Sequence, residues 1–113
     1  MGESRLREFE EMVLLAVLVA GAEAYGVSLQ QILAEQAGRE VSLGAIYTAL
    51  DRLTRKGLVR SELGAPTPVR GGRRKRHYEL TPAGLDEMRE LRRIREGMWK
   101  QVAPQLPDGG AKR

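Results

Sequence analysis

Hydrophobic residues recur at a helical period over four stretches of the chain and alternate over two short ones. Residues 5–20 are good helix formers, and Phe9, Met12, Val13, Leu15, Ala16, Val17, Leu18 and Val19 make the second half apolar almost all round. A helix of that kind must be covered on several sides. Gly21 interrupts it, Tyr25-Gly26 reopens the chain, and Leu29, Ile32 and Leu33 step at helical spacing through 27–37 to a stop at Gly38. Ser42 is an N-cap for a third helix over 43–56, which Gly57 ends. Its apolar positions Leu43, Ile46, Leu50 and Leu53 form one stripe. At about 100° per residue the opposite face carries Gly44, Ala45, Thr48, Asp51, Arg52 and Arg55, with Tyr47 on the flank.

Residues 58–63 and 76–80 read as short strands. The loop between them holds three glycines and two prolines over 64–72, which excludes regular structure at its tip and predicts mobility there. Thr81 caps a last helix with Pro82 at its first position, and Leu85, Met88, Leu91, Ile94, Met98 and Val102 step at three or four residues, joined by Trp99. Pro104 and Pro107 close the run, leaving 104–113 as a disordered tail. Three helices, a two-stranded hairpin and a long final helix is the order of a winged helix-turn-helix. The expected fold is therefore mainly α with a small antiparallel β wing and a long C-terminal dimerisation helix. One domain over 1–103 is expected, with its wing at about 58–80 and its last helix at about 82–103.

Composition narrows the chemistry. At 113 residues there is room for one domain, and 42% hydrophobic against 30% charged residues is a folding balance, not a disordered one. The absence of cysteine excludes disulfides, a thiolate zinc site and a cysteine nucleophile. His77 is the sole histidine and has no companion ligand, so neither a metal nor a cofactor is expected. No acid and base pair at recognisable spacing, nucleophile elbow or phosphate loop is present, and Gly71-Gly72 opens no helix, so an enzyme is excluded and no catalytic residue is assigned. The longest apolar run, 12–20, is well under the roughly 18 to 20 residues that span a bilayer. Glu8, Glu10 and Glu11 stand before it where a signal peptide is basic, so the expectation is a cytoplasmic protein with no membrane partner.

Charge is unevenly distributed within the net +4. Residues 1–50 carry three basic and seven acidic side chains, 51–80 nine and three, and 81–113 seven and five. A basic middle points to a polyanion, with nucleic acid ahead of a membrane surface because no amphipathic apolar face adjoins it. Single-stranded nucleic acid fits poorly, since aromatics make up 4% of residues and form no stacking platform. Duplex DNA fits better. A helix in the major groove reads base edges from its outer face, and here Arg52 and Arg55 are best placed for that. Tyr47 and Thr48 offer hydroxyls to phosphate, Ser42 sits where a helix N-terminus favours an anion, and Gly44, Ala45 and Lys56 complete the expected contact set. Asp51 would repel phosphate unless it accepts from a cytosine amino group or positions Arg52 or Arg55, and it takes no firm role. The run Arg73, Arg74, Lys75 and Arg76 at the base of the hairpin would grip the sugar-phosphate backbone or enter the minor groove.

Three segments carry a resemblance. Gly44-Ala45-Ile46-Tyr47-Thr48-Ala49-Leu50-Asp51-Arg52-Leu53-Thr54-Arg55-Lys56-Gly57-Leu58-Val59 resembles the recognition helix of the PadR family and its exit into the wing. Tyr25-Gly26 at the start of the second helix and Gly72-Arg73-Arg74-Lys75-Arg76-His77-Tyr78-Glu79-Leu80-Thr81-Pro82-Ala83-Gly84 at the end of the wing agree with it, and together they cover about residues 10–90. The resemblance implies a dimeric winged-helix regulator, often a repressor, whose C-terminal helix packs on the partner's N-terminal region. It also implies DNA-facing roles for Tyr47, Arg52 and the run 73–76. The chain departs from the family in its long, proline-bearing wing loop and in its single short C-terminal helix, which leaves little room for a separate effector domain.

The expected dimer interface comprises Phe9, Met12, Leu91, Ile94, Met98, Trp99 and Val102, because a helix projecting past a compact domain has little of its own chain to cover it. Trp99 reads as an aromatic anchor of that interface; the resemblance also allows it to line a site for a small hydrophobic ligand between subunits. The leading expectation is a homodimer on a roughly palindromic operator with half-sites about one helical turn apart. The rival is a winged-helix protein-interaction module whose basic surface meets an acidic protein.

Overall fold

The computed structural model describes residues 6–64 and 75–106. Its elements run α1 (Glu8–Ala20), α2 (Gly26–Ala37), α3 (Leu43–Arg55), β1 (Val59–Leu63), β2 (Arg76–Leu80) and α4 (Pro82–Val102), with 3-10 turns at Gly21–Glu23 and Ala103–Gln105. This is the winged helix-turn-helix order, mainly α with a two-stranded antiparallel wing and a long last helix. The hairpin tip with Arg73 and Arg74, and residues 107–113 of the expected tail, lie outside the described residues.

The core forms where α1 meets α2, α3 and β2. Val13, Leu14, Leu29, Leu33, Ile46, Leu50 and Leu53 are each no more than 1% exposed. The α3 stripe thus points inward, and burying each of its large side chains contributes about 1.5–3 kcal/mol. Both ends of α3 are closed by local chemistry. Ser42 Oγ accepts from the Ala45 N–H at 3.0 Å, which satisfies one of the free donors of the first turn. At the other end Gly57 takes φ +78°, its N–H donates to the Thr54 carbonyl at 3.0 Å, and the Leu58 N–H donates to the Leu53 carbonyl at 2.9 Å. That pair of bonds around a left-handed residue is a Schellman stop, and it turns the chain directly into β1. The helix consequently ends at Arg55 with Lys56 as its C-cap, one residue before the expected limit.

Thr81 joins this exit to α4. Its Oγ1 accepts from the Gly84 N–H at 3.0 Å, its hydroxyl donates to the Gly57 carbonyl at 2.7 Å, and its N–H donates to the Leu58 carbonyl at 3.0 Å. Gly84 sits against the same carbonyl so closely that a Cβ there would overlap the Leu58 oxygen. The wing is paired Val59↔Leu80, Ser61↔Tyr78 and Leu63↔Arg76, and it buries Val59, Tyr78 and Leu80. A further bond from the Tyr78 N–H to the Ala24 carbonyl, 3.0 Å, anchors β2 to the segment before α2.

The C-terminal boundary also differs from expectation. Residues 104–106 are not irregular: Pro104 lies in the 3-10 turn, and the Leu106 N–H donates to the Val102 and Ala103 carbonyls at 3.1 and 3.2 Å. Proline is tolerated there because the first positions of a helical turn have no partner for an N–H.

The Gly84 contact predicts that Gly84→Ala destabilises the protein by about 2 kcal/mol or more, since a backbone carbonyl must move to admit the methyl. Gly97, also in α4, has open space at its Cβ position, so Gly97→Ala should instead stabilise by roughly 0.5–1 kcal/mol. Urea midpoints of the two variants against the parent check the opposite signs.

Candidate nucleic-acid interface

With the stripe buried, the other side of α3 is turned outward. Gly44, Ala45, Tyr47, Thr48, Asp51, Arg52 and Arg55 are all exposed. On this face the first turn presents only Gly44 and Ala45, so a surface can approach its backbone closely, while Asp51, Arg52 and Arg55 further along carry the charge. Arg52 makes no ion pair among the described residues. Arg55 is bonded to Asp51 one turn earlier, with the two side chains 72% and 59% exposed. Such an exposed pair at this spacing is worth only about 0.3–0.5 kcal/mol, so it orders side chains without holding the fold.

Tyr47 is positioned by a glycine. Its phenol end lies where a Cβ of Gly26 would be, so the first residue of α2 must lack a side chain for the tyrosine to hold this position. The preceding residue Tyr25 caps α2, its N–H donating to Ser28 Oγ at 2.9 Å. The Tyr25 ring also meets the wing: Lys75 Nζ is 5.0 Å from its centroid, and the His77 ring meets it edge-on at 5.9 Å. Lys75 is thereby placed beside the exposed face of α3, with some cation–π attraction to hold it. Arg76 donates across the hairpin to Ser61 Oγ at 3.0 Å, and Arg60 pairs with Glu79 at 2.7 Å. Burial pushes the Tyr78 phenol up, with Tyr47 adding to the rise, Arg76 opposing it and Asp51 adding a little more.

The expected contact residues do not all lie on this face. Ser42 spends its oxygen on the helix cap. Lys56 turns to the back of α3 and donates to Glu10 Oε1 at 2.6 Å, with the lysine 19% and the glutamate 2% exposed. The Arg7 N–H reaches the same oxygen at 3.1 Å, and Glu10 Oε2 accepts no hydrogen bond from the described residues. Burial alone would raise the Glu10 carboxyl, but the Lys56 ammonium and the Arg7 N–H outweigh it and hold it below the ordinary glutamate value. The spacing in sequence made Lys56 part of a basic tail on α3; only the packing of α1 against that helix reveals the acid it meets.

The surface between α1 and α4 is apolar. Ile94, Met98 and Trp99 are 43%, 65% and 58% exposed, while Leu91 and Val102 are half-buried. Phe9 and Met12 are half-buried against the chain's own core, with the Arg39 guanidinium 5.5 Å from the Phe9 centroid. The side chains that α1 leaves outside are Leu15, Leu18 and Val19, which were not in the expected interface. The signal was present in the all-round apolar second half of that helix. Leu15, Leu18, Leu85, Leu91 and Trp99 border a groove of about 350 Å³ between the two helices, with the Arg95–Glu11 ion pair at 2.7 Å also in its lining. Among the described residues no helix is long and apolar enough to cross a membrane.

A leucine-backed helix with a small, polar and basic outer face, flanked by a cationic hairpin, defines a DNA-binding winged helix. Residues 14–90 match the family model described as the transcriptional regulator PadR-like family. The chain belongs to that family of transcriptional regulators, which are DNA-binding proteins and not enzymes. It is 38% identical over 100 residues to the transcriptional regulator Rv3488 of Mycobacterium tuberculosis, covering 86% of this chain and 89% of that protein. Among solved structures it is similar to a PadR-like transcriptional regulator of Bacillus cereus, with TM-score 0.69, 25% identity, and 88% and 92% of the two chains covered. It also shares its fold with Bacillus subtilis PadR in complex with operator DNA, with TM-score 0.61, 20% identity, 77% of this chain and 48% of that chain.

The buried pair contributes to the acid response of the fold. The Glu10 contribution is present at neutral pH and is lost as pH falls through the depressed value of the folded carboxyl. Lys56→Ala should cost about 3 kcal/mol at pH 7, because it strands a buried carboxylate. In that variant burial is left to raise the carboxyl, so the deficit should shrink on acidification, whereas Glu10→Gln should flatten the response. Urea titrations at about pH 3 to 8 compare the three proteins.

Proposed function

We propose that the chain is a sequence-specific duplex DNA-binding repressor that works in the cytoplasm as a homodimer, placing α3 of each subunit in successive major grooves of a roughly palindromic operator. The observation that carries this reading is the division of α3, with Ile46, Leu50 and Leu53 fully buried and Gly44, Ala45, Thr48, Arg52 and Arg55 exposed on the other side. A guanidinium fork at the Arg52 position suits bidentate contact with guanine, and the small residues before it admit the helix to the groove. Tyr47, Thr48 and the Ser42 end of α3 would contact phosphate, as would Lys75 and Arg76 together with Arg73 and Arg74 of the wing. Lys56 takes a positioning role through Glu10. The B. subtilis protein that shares this fold is itself in complex with operator DNA, which agrees with duplex DNA as the partner.

Dimerisation is inferred from the apolar side chains on α1 and α4. Leu15, Leu18, Ile94, Met98 and Trp99 together leave an uncovered apolar surface that a second copy would bury. The groove beside Trp99 favours a secondary reading, in which a small hydrophobic effector enters at the subunit boundary and releases the DNA. Quenching of Trp99 fluorescence by planar hydrophobic ligands tests it, and silence at high ligand concentration would remove it.

Binding is tested on a duplex enriched from a random pool by the protein itself. Arg52→Ala should weaken binding to that duplex by about 1–3 kcal/mol with little change on random DNA. Neutralising Lys75 and Arg76 should weaken both and flatten the salt slope by about one unit for each phosphate left without its cation. Equal losses on both duplexes from Arg52→Ala would place base readout elsewhere, and no salt dependence at all would favour an acidic protein partner.

The apolar surface makes a separate prediction. In sedimentation at micromolar concentration the parent should be dimeric and Leu18→Glu monomeric, with the variant losing affinity for the full palindrome while keeping weak binding to a single half-site. A monomeric parent would refute it.

A further inference from the structure

Asp51 is an acid at the centre of a face otherwise suited to a polyanion, and the fold has no structural need of it. Its side chain is 59% exposed and its partner Arg55 is 72% exposed, so their bond adds little to stability. Arg52, adjacent in sequence and on the same face, carries no such partner among the described residues. The two arginines are therefore in different states before DNA arrives: one uncommitted, the other held by a carboxylate.

We propose that Asp51 is a specificity-determining residue of α3 that withholds Arg55 from the phosphate backbone and releases or orients it only on a matching base sequence. The inference rests on the DNA-binding reading above and deepens it. A guanidinium has five N–H donors, and the Asp51 carboxylate, bonded to one terminal nitrogen, leaves the others free. A phosphate, which is met in every duplex, must compete with Asp51 for the guanidinium and suffers repulsion from the carboxylate as it does so. A guanine edge is uncharged and offers two acceptors to the free side of the fork, so it is not repelled. The carboxylate thus weakens unspecific contact more than specific contact, and discrimination is a difference between those two. Loss of the Asp51 charge should therefore make the protein bind more DNA, and select less among it.

The test uses the full chain, with its enriched duplex and a random duplex of equal length, across a salt series. Asp51→Asn keeps the size of the side chain and removes its charge at an exposed position, so the fold should be retained. Random-duplex affinity should rise about tenfold and its salt slope steepen by about one unit, as one more phosphate is neutralised, while affinity for the enriched duplex changes by less than about threefold. The discrimination ratio then falls. The same substitution in an Arg55→Ala background should alter the ratio much less, because there is no longer a guanidinium to withhold. An unchanged ratio for Asp51→Asn, or an equal change with and without Arg55, overturns the proposal while leaving the DNA-binding reading standing. A parent protein that does not distinguish the enriched from the random duplex overturns both.

Discussion

The structure depends on α3 being amphipathic in one particular rotation. Ile46, Leu50 and Leu53 pack without solvent contact against α1 and α2, and a rotation by one residue would expose them while burying Arg52 or Asp51. Because the unfavourable term in such a rotation combines lost apolar burial with desolvated charge, the outward face is determined by the inward one. The surface proposed to meet DNA is thus a consequence of core packing.

That rotation is held at several points by contacts between segments distant in sequence. In its second turn Tyr47 lies on Gly26. At its last, Gly57 reverses the chain, Thr81 bonds to the Gly57 and Leu58 carbonyls, and Gly84 lets α4 start against that same turn. These contacts give a physical content to the family resemblance, since the Tyr25-Gly26, recognition-helix and wing-exit segments are the surfaces that touch. Glycine is required at two of the contacts because another chain atom occupies the place of its Cβ, and at Gly57 because the left-handed turn disfavours any other residue.

Helix α1 serves three neighbours at once. Its inner side fills the core, Glu10 holds the C-terminal end of α3 through Lys56, and the next residue, Glu11, pairs with Arg95 of α4. Leu15, Leu18 and Val19 remain outside beside the apolar side of α4. An element so placed touches both α3, the helix proposed to read DNA, and the surface proposed to meet a second subunit.

Much of this could be read from residue patterns alone. Periodicity, the Ser42 and Thr81 caps and the Gly57 stop determined four helices and a hairpin in order, because each of those signals acts through neighbours within a turn or two of chain. The same periodicity distinguished the buried from the exposed side of α3. What tertiary structure decided were the partners and exposure of particular side chains: Lys56 turned inward to Glu10, Phe9 covered by Arg39, and Leu15 and Leu18 left outside. A long side chain can reach in several directions from one backbone position, and which of them it takes depends on what a distant segment places within its reach.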